Sequence, residues 1–338
     1  MTRRALPWTV LLLALLAAAL WLAIGLGSRE GQLVFDPDWL SALLDGDDSL
    51  QSKILIHWRA PRALAGLIVG AGLAMAGLVL QGLTRNPLAD PYLLGISGGA
   101  GLAVVALHAL PALVETAGWW LVPAAAFVGA QLATLLVLPL ARGARGRLTI
   151  RGLILAGVII NAMCAALMSF LLVRFDPIRL RITTLWLAGG IGYAPWVQLA
   201  LGGAVVLLAW IALRSAAHRL NACALGHAGA ASVGVDADRL MLRAALLSSV
   251  LTGLGVSLAG MLGYVGLIVP HAARLLVGHD FRRTLPVAAA AGGVLLVVAD
   301  TFARLVLAPE ELPVGVLTAL LGCPVLLVLL RAQLGGRR

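Results

Sequence analysis

The chain has 338 residues, of which 61% are hydrophobic and 12% charged, with a mean hydropathy of +0.99. Soluble domains carry roughly 25% charged residues, so this composition excludes a soluble globule. The net charge of +10 comes from arginines scattered between apolar runs, which argues for charges that set membrane orientation and against nucleic-acid binding. The single lysine, Lys53, rules out a phosphate-binding loop of the form GxxxxGKS or GxxxxGKT.

Apolar runs near 20 residues recur, the length a helix needs to cross ~30 Å of hydrocarbon, without the alternation of a transmembrane barrel. In chain order, spans are expected at 6–26, 63–83, 92–110, 119–140, 152–173, 190–213, 241–260, 264–278, 285–306 and 313–331. The first follows Thr2-Arg3-Arg4 as a signal peptide would, but its length and the lack of a clean small-residue cleavage site predict a retained span. The eighth is short and interrupted by Pro270, so its limits are the least sharply drawn. With the N-terminus in the cytoplasm, sixteen arginines fall on inner segments and eight cationic residues on outer ones, and the acidic loop 30–48 lies outside. That asymmetry satisfies the positive-inside rule, and an even number of spans returns the C-terminus to the cytoplasm. The expectation is an all-α polytopic membrane protein, one domain over 1–338, with about ten transmembrane helices in one bundle.

Few residues in this frame carry chemistry. Arg59 and Arg62 share one face of a helix start. Between the second and third spans, residues 81–101 read QGLTRNPLADPYLLGISGGAG. Pro87 pushes Asn86 out of helical geometry, and Pro91 can open the next helix without an N–H partner. Irregular backbone at such depth survives only where it is buried in protein or lines water; the plain alternative is a tight turn. Segment 220–235, LNACALGHAGAASVGV, is broken by Gly226, Gly229 and Gly234, which predicts two short helices joined by turns. Asp300 is the sole carboxylate within a span, and Arg304 offers it a local i,i+4 partner where an ion-coupled carrier would use a deep titratable group. Cys164, Cys223 and Cys323 are far apart and read as small buried hydrophobes. No HExxH, paired-carboxylate or Ser-His-Asp arrangement points to an intramembrane enzyme. Small residues one turn apart, at Gly66 and Gly70, Gly72 and Ala76, Gly95 and Gly99, and Gly255 and Ala259, favour close helix packing.

Three ordered blocks carry a resemblance. Arg59-Ala-Pro61-Arg62, the glycine-rich run 69–77 and Gln81…Asn86-Pro87-Leu88-Ala89…Pro91…Leu94-Gly95 form the first. Gly263-Tyr-Val-Gly266-Leu-Ile-Val-Pro270-His271…Arg274…Gly278-His279-Asp280 is the second. Ala299-Asp300…Arg304…Glu311-Leu312-Pro313-Val314-Gly315…Gly322-Cys323-Pro324 is the third. Together they resemble the FecCD-type permeases of bacterial ABC importers for ferric siderophores, haem and cobalamin.

The resemblance implies a homodimeric type II importer fold of ten helices per subunit in the inner membrane. It implies two cytoplasmic ATPase subunits, which would hold the ATP and magnesium, so that no cofactor resides on this chain. It also implies a periplasmic substrate-binding protein and an iron complex or corrinoid as substrate. Asn86 and Leu88, with Thr149, would close the inner mouth of the path. The ATPase coupling region, about 215–240, is matched through Leu225, Gly226, Ala230, Ala231, Gly234 and Val235, although His227 and Ala228 stand where relatives show acidic residues. Arg59, Arg62 and Arg304 would receive acidic residues of the binding protein; arginines reaching the headgroup level are the alternative. Asn161, Met163, Met168 and Ser169 on the fifth span are path-lining candidates. His271 belongs to the family's Pro-His pair whatever the substrate, so it does not diagnose haem. The contrasting function is an ion-coupled secondary carrier that needs no ATPase.

Overall fold

The computed structural model describes residues 5–29, 32–35, 39, 50–110, 112–113, 116, 118–143, 148–224, 226–308 and 310–335, and it is mostly helical (82%). Helix α1 (Ala5–Gly25) runs into an antiparallel hairpin of β1 (Leu26–Arg29) and β2 (Gln32–Phe35), with Leu26 opposite Phe35. A short helix (Leu50–Ile54) and a π-helical turn (Leu55–Arg59) lead into α2 (Ala60–Thr84). There follow a 3-10 turn (Pro91–Leu94), α3 (Ile96–His108), α4 (Leu121–Leu140), α5 (Ile150–Leu172) and α6 (Pro177–Ala188). The chain continues through α7 (Trp196–Ala224), the six-residue α8 (His227–Ser232), α9 (Ala237–Ala259), α10 (Val265–Val277), α11 (Phe281–Leu305) and α12 (Val314–Gly335).

Among the described residues, seven helices are long and apolar enough to cross a membrane. Shorter apolar helices at Ile96–His108, Val265–Val277 and Val314–Val328 occupy the positions expected of the third, eighth and tenth spans. The sixth expected span is displaced: α7 starts at Trp196 and continues to Ala224. Gly189, at φ 77°, and the irregular stretch 189–195 prevent the earlier start. The segment before it folds as α6, capped by the Asp176 side chain accepting from the Arg179 amide. Its arginines and threonines hid it from an apolar count. Thr149, Asp236 and Asp280 cap α5, α9 and α11 in the same way, each satisfying an N–H that the first turn leaves free.

Helix α2 is the axis of the bundle. It is buried for most of its length and touches α11, α9, α7 and α10. Lipid gives helices no hydrophobic reason to associate, so contact depends on backbones approaching closely. Gly70 meets the Gly292 backbone, Gly77 meets the Gly266 backbone, and Gly99 of α3 meets Gly129 of α4; a Cβ at any of these points would collide with main chain. A second buried cluster joins α3, α4 and α5 to one face of α9, and a third fastens α1 to α2 and α11. Large apolar side chains remain on the outside of α4, α7 and α12, as at Leu136, Leu208 and Leu327, as lipid-facing surfaces require.

Cys164 and Cys223 are buried as expected, but Cys323 is exposed. Its Sγ lies 3.1 Å from the Tyr264 hydroxyl, because α12 turns that side chain toward the irregular start of α10 and away from the bundle interior.

Candidate functional site

The end of α2 is fixed by its own side chains. Arg85 adopts left-handed geometry (φ 50°) at the helix C-cap, and the Leu88 amide donates to the Asn86 side-chain oxygen at 3.0 Å, an Asx turn of the kind that competes with helix. Asp90 then caps the 3-10 turn by accepting from the Tyr92 amide at 2.9 Å. Burial pushes the Asp90 carboxyl up to about 6, against the opposing pull of that amide. Gly95 (φ 78°) breaks the third span before α3 begins, so this span starts later than the sequence predicted. Proline at 91 and the left-handed turn at Gly95 cannot be absorbed into one straight helix.

The break is clamped from two sides. Asn161 of α5 donates to the Tyr92 carbonyl at 3.1 Å and accepts from the Gly98 amide at 2.9 Å. The Tyr92 hydroxyl donates to the Leu262 carbonyl and accepts from the Leu262 amide, both at 3.0 Å. The first and second sequence blocks, up to 196 positions apart, meet beside these contacts. Gln81 lies over α10, donating to the Leu267 carbonyl at 2.9 Å with Gly266 at 3.5 Å, and accepts from Arg274 at 3.1 Å. Pro270 has no N–H for the Gly266 carbonyl, so the glutamine stands over the vacancy that proline creates. Arg274 also donates to the Leu78 carbonyl on the side of α2, at 3.0 Å. From the third block, Gly315 donates to the Gly189 carbonyl at 3.0 Å, and Gly322 lies against the Tyr264 ring.

Segment 220–235 differs from its expectation. Its first half is the end of α7, and only His227–Ser232 forms a separate helix; nothing between Leu220 and Ala224 breaks the apolar helix pattern. Leu225 lies outside the described residues. Gly226, at φ 101°, caps α8 and lies beside the Arg85 guanidinium: a Cβ there would stand 3.1 Å from Nη1. The turn after α2 and the start of α8 are therefore in contact. Ala230 is buried, its carbonyl accepting from Val235 at 2.9 Å, whereas Ala231 and Gly234 are exposed. Between the end of α7 and the start of α9 lies a cleft of 640 Å³ lined by His218, Arg219, Gly234, Val235, Arg239 and Arg243 among others. Asn221 ties the same face to α11, donating to Asp280 at 2.7 Å and accepting from the Phe281 amide at 3.0 Å. Burial alone would raise the Asp280 carboxyl, but hydrogen bonds from Asn221 and the Arg282 amide, with the charges of Arg283 and Arg282, hold it below the usual carboxylate range.

At the opposite end, the structure brings Arg59, Arg62 and Arg304 together, but as members of an ionic cluster. Arg62 grips Asp300 with Nε and Nη2 at 2.9–3.0 Å and Glu311 with Nη1 at 2.8 and 3.1 Å. Arg304 lies 3.4 Å from Asp300 through Nε, a charge contact without hydrogen-bond alignment. Its Nη2 donates to the Ala23 carbonyl at 3.0 Å, and Arg59 donates to Ile24 at 3.2 Å. Two arginines thus serve the carbonyls that the end of α1 leaves unpaired. The local Asp300–Arg304 pair expected from sequence is the lesser contact; Arg62, 238 positions away, is the principal partner, because its planar fork reaches both carboxylate oxygens.

Residues 15–332 match the FecCD transport family. The chain belongs to the FecCD transport family. It is 41% identical over 284 residues to the hemin transport system permease protein of Yersinia pestis, covering 83% of this chain and 84% of the relative. The vitamin B12 import system permease protein of Salmonella typhi is 39% identical over 333 residues, 97% of this chain and 96% of the relative. A solved structure of a metal-chelate type ABC transporter in an inward-facing conformation superposes with a TM-score of 0.81 at 29% identity, covering 96% of this chain and 98% of that one.

Within this FecCD chain several predicted site residues have local duties. Thr149 caps α5, accepting from Gly152 at 3.1 Å, and donates to the Ala141 carbonyl at 3.2 Å. Asn161 spends its amide on the broken third span. Met168 packs against Gly101, Ser169 donates to its own helix at Ala165, and Met163 is exposed. The residues missed by sequence reasoning are Tyr92, Asn221, Gln81, Arg274 and Glu311. The last three stood inside recognised blocks without a role, because their partners are remote in sequence.

Proposed function

We propose that this chain is the membrane-spanning permease subunit of an ATP-driven importer that moves an iron complex, a haem or a ferric siderophore, across the bacterial inner membrane. The observation that carries the proposal is that the three family blocks contact one another in pairs: the first and second through Gln81 and Arg274, the second and third through Tyr264 and Gly322, and the first and third through Arg62 and Asp300. The hemin permease relative favours an iron complex. Cobalamin is the alternative substrate, supported by vitamin B12 permeases that match nearly the whole chain.

In this scheme ATP is hydrolysed on two partner subunits, consistent with a sequence whose one lysine cannot complete a phosphate loop. The face bearing α8 and the cleft of Arg219, Arg239 and Arg243 is cytoplasmic and receives the ATPase. Movement of α8 passes to Arg85 and then to Asn86 and Leu88, whose displacement opens the inner mouth. The Arg62 cluster faces the periplasm and receives the binding protein. Two copies pair around the path, and the unpartnered apolar face of α5, with Leu155, Ile159 and Phe170, is available for that pairing.

The test is co-purification with the ATPase subunit of the same system. Wild-type protein is expected as a complex with two copies of each chain, and deletion of 226–234 is expected to detach the ATPase or uncouple its hydrolysis. A deletion variant that transports at the normal rate would remove the coupling assignment.

A further inference from the structure

The two carboxylates on Arg62 are not equivalent. Asp300 is 4% exposed, lies on α11, and is shared between Arg62 and Arg304. Glu311 is 53% exposed and lies on the irregular segment between α11 and α12. It holds only the Nη1 corner of the guanidinium, at 2.8 and 3.1 Å. Removing Asp300 would strand two largely buried cations, which is costly. Displacing Glu311 breaks only a rim ion pair, worth little in water.

We propose that the Nη1 corner of Arg62 is a seat for a carboxylate presented by an acidic protein surface, and that Glu311 occupies this seat until such a surface docks. The inference rests on the docking role given to this face under Proposed function, and adds to it an internal competitor. Docking exchanges one carboxylate for another, so Arg62 keeps its full set of hydrogen bonds and Asp300 holds it in place throughout. Glu311 swings into water, where its charge is solvated. The exchange prevents Arg62 from presenting a bare cation to the headgroup region between docking events, and it limits adhesion to unrelated acidic surfaces.

The control for general electrostatics is built into the chain. Glu310, the next residue, is also exposed and contributes the same charge to the rim without contacting Arg62. The full-length protein in nanodiscs is assayed for association with the binding protein of its own system. Glu311→Gln is expected to tighten docking about threefold or more, the scale of one exposed ion pair, and Glu310→Gln much less. In an Arg62→Gln background Glu311→Gln is expected to add nothing. Equal gains from Glu310→Gln and Glu311→Gln, or no gain from the latter while Arg62→Gln weakens docking, overturn the competitor and leave the docking face standing. Docking indifferent to Arg62→Gln removes the docking face, and the proposal with it. A second measurement needs no partner: phenylglyoxal labelling of Arg62, read by peptide mass spectrometry, is expected to be faster in Glu311→Gln than in Glu310→Gln. Equal labelling rates would show that Glu311 does not hold the seat.

Discussion

Gln81 and Arg274, 193 positions apart, form one interhelical clamp: the Gln81 side-chain oxygen accepts from the Arg274 guanidinium at 3.1 Å while its amide donates to Leu267. Each residue therefore satisfies carbonyls on the other's helix, and Pro270 is tolerated inside α10 because Gln81 stands over the carbonyls beside it. Gln81→Leu fills the same space but leaves the half-buried Arg274 guanidinium with only its Leu78 bond and uncovers the Leu267 and Gly266 carbonyls. An unpartnered buried group costs about 1–3 kcal/mol, so the variant should melt several degrees lower in detergent. An unchanged melting temperature would mean that water or a rearranged Arg274 replaces the glutamine.

Asp90 provides a pH dependence with a definite sign. Its carboxyl is raised from 3.8 to about 6 by burial, so the folded protein holds a proton that the unfolded chain has released. The associated stability is fully present below pH 4 and is lost as pH rises to about 6. Asp90→Asn retains an acceptor for the Tyr92 amide, since asparagine caps as well as aspartate, and removes the penalty of a buried charge. The variant should therefore melt higher than wild type at pH 7.5, with the difference closing as the pH approaches 4. Lower stability of Asp90→Asn at pH 7.5 would show that the ionised carboxylate is stabilised by more than the Tyr92 amide.

Close backbone contact along α2 separates two glycines sharply. Gly77→Leu drives a side chain into the Gly266 backbone and should leave little folded protein on size-exclusion chromatography. Gly263→Ala meets nothing within 4 Å and should behave as wild type within about 0.5 kcal/mol, as surface changes generally do. Comparable yields of the two variants would contradict the packing described for α2, α10 and α11.

The turn after α2 is both well formed and assigned to the inner mouth, so the two roles need separating. Asn86→Ala with Leu88→Ala removes the Asx turn and one apolar side chain from a loop already held by Pro87 and Asp90. Stability should fall by about 1 kcal/mol, whereas passive efflux of a trapped dye from liposomes without ATP should rise greatly. A tight double variant with normal ATP-driven uptake would reduce these residues to a structural turn.

Much of this was legible in the chain because lipid demands long apolar runs and close packing demands glycine. The positions of nine of the ten expected spans agree with helices in the structure to within a few residues, and the small-residue pairs on α2 do mark helix contacts. The sixth span was misplaced because the glycines at 189, 190 and 192 carry no polar side chain and end nothing on a hydropathy count. The break at Gly95 was masked in the same way by Leu93, Leu94 and Ile96 around it. Side-chain partners were harder to read than spans. Arg304 follows Asp300 by one turn and was legible as its partner; Arg62 lies on a different helix, and only the fold shows that it binds Asp300 more closely. Likewise, the short helices foreseen in 220–235 became one, since Ala and Leu up to residue 224 continue α7 without a residue that stops it.

The central claim is that this chain transports only as part of an ATP-driven importer, and reconstitution tests it most directly. Proteoliposomes containing the chain with its ATPase subunit and binding protein should accumulate labelled haem or ferric siderophore when ATP is supplied. The chain alone should accumulate none under a proton or sodium gradient. Gradient-driven uptake by the chain alone, with no effect of ATP in the complete assembly, would contradict the account.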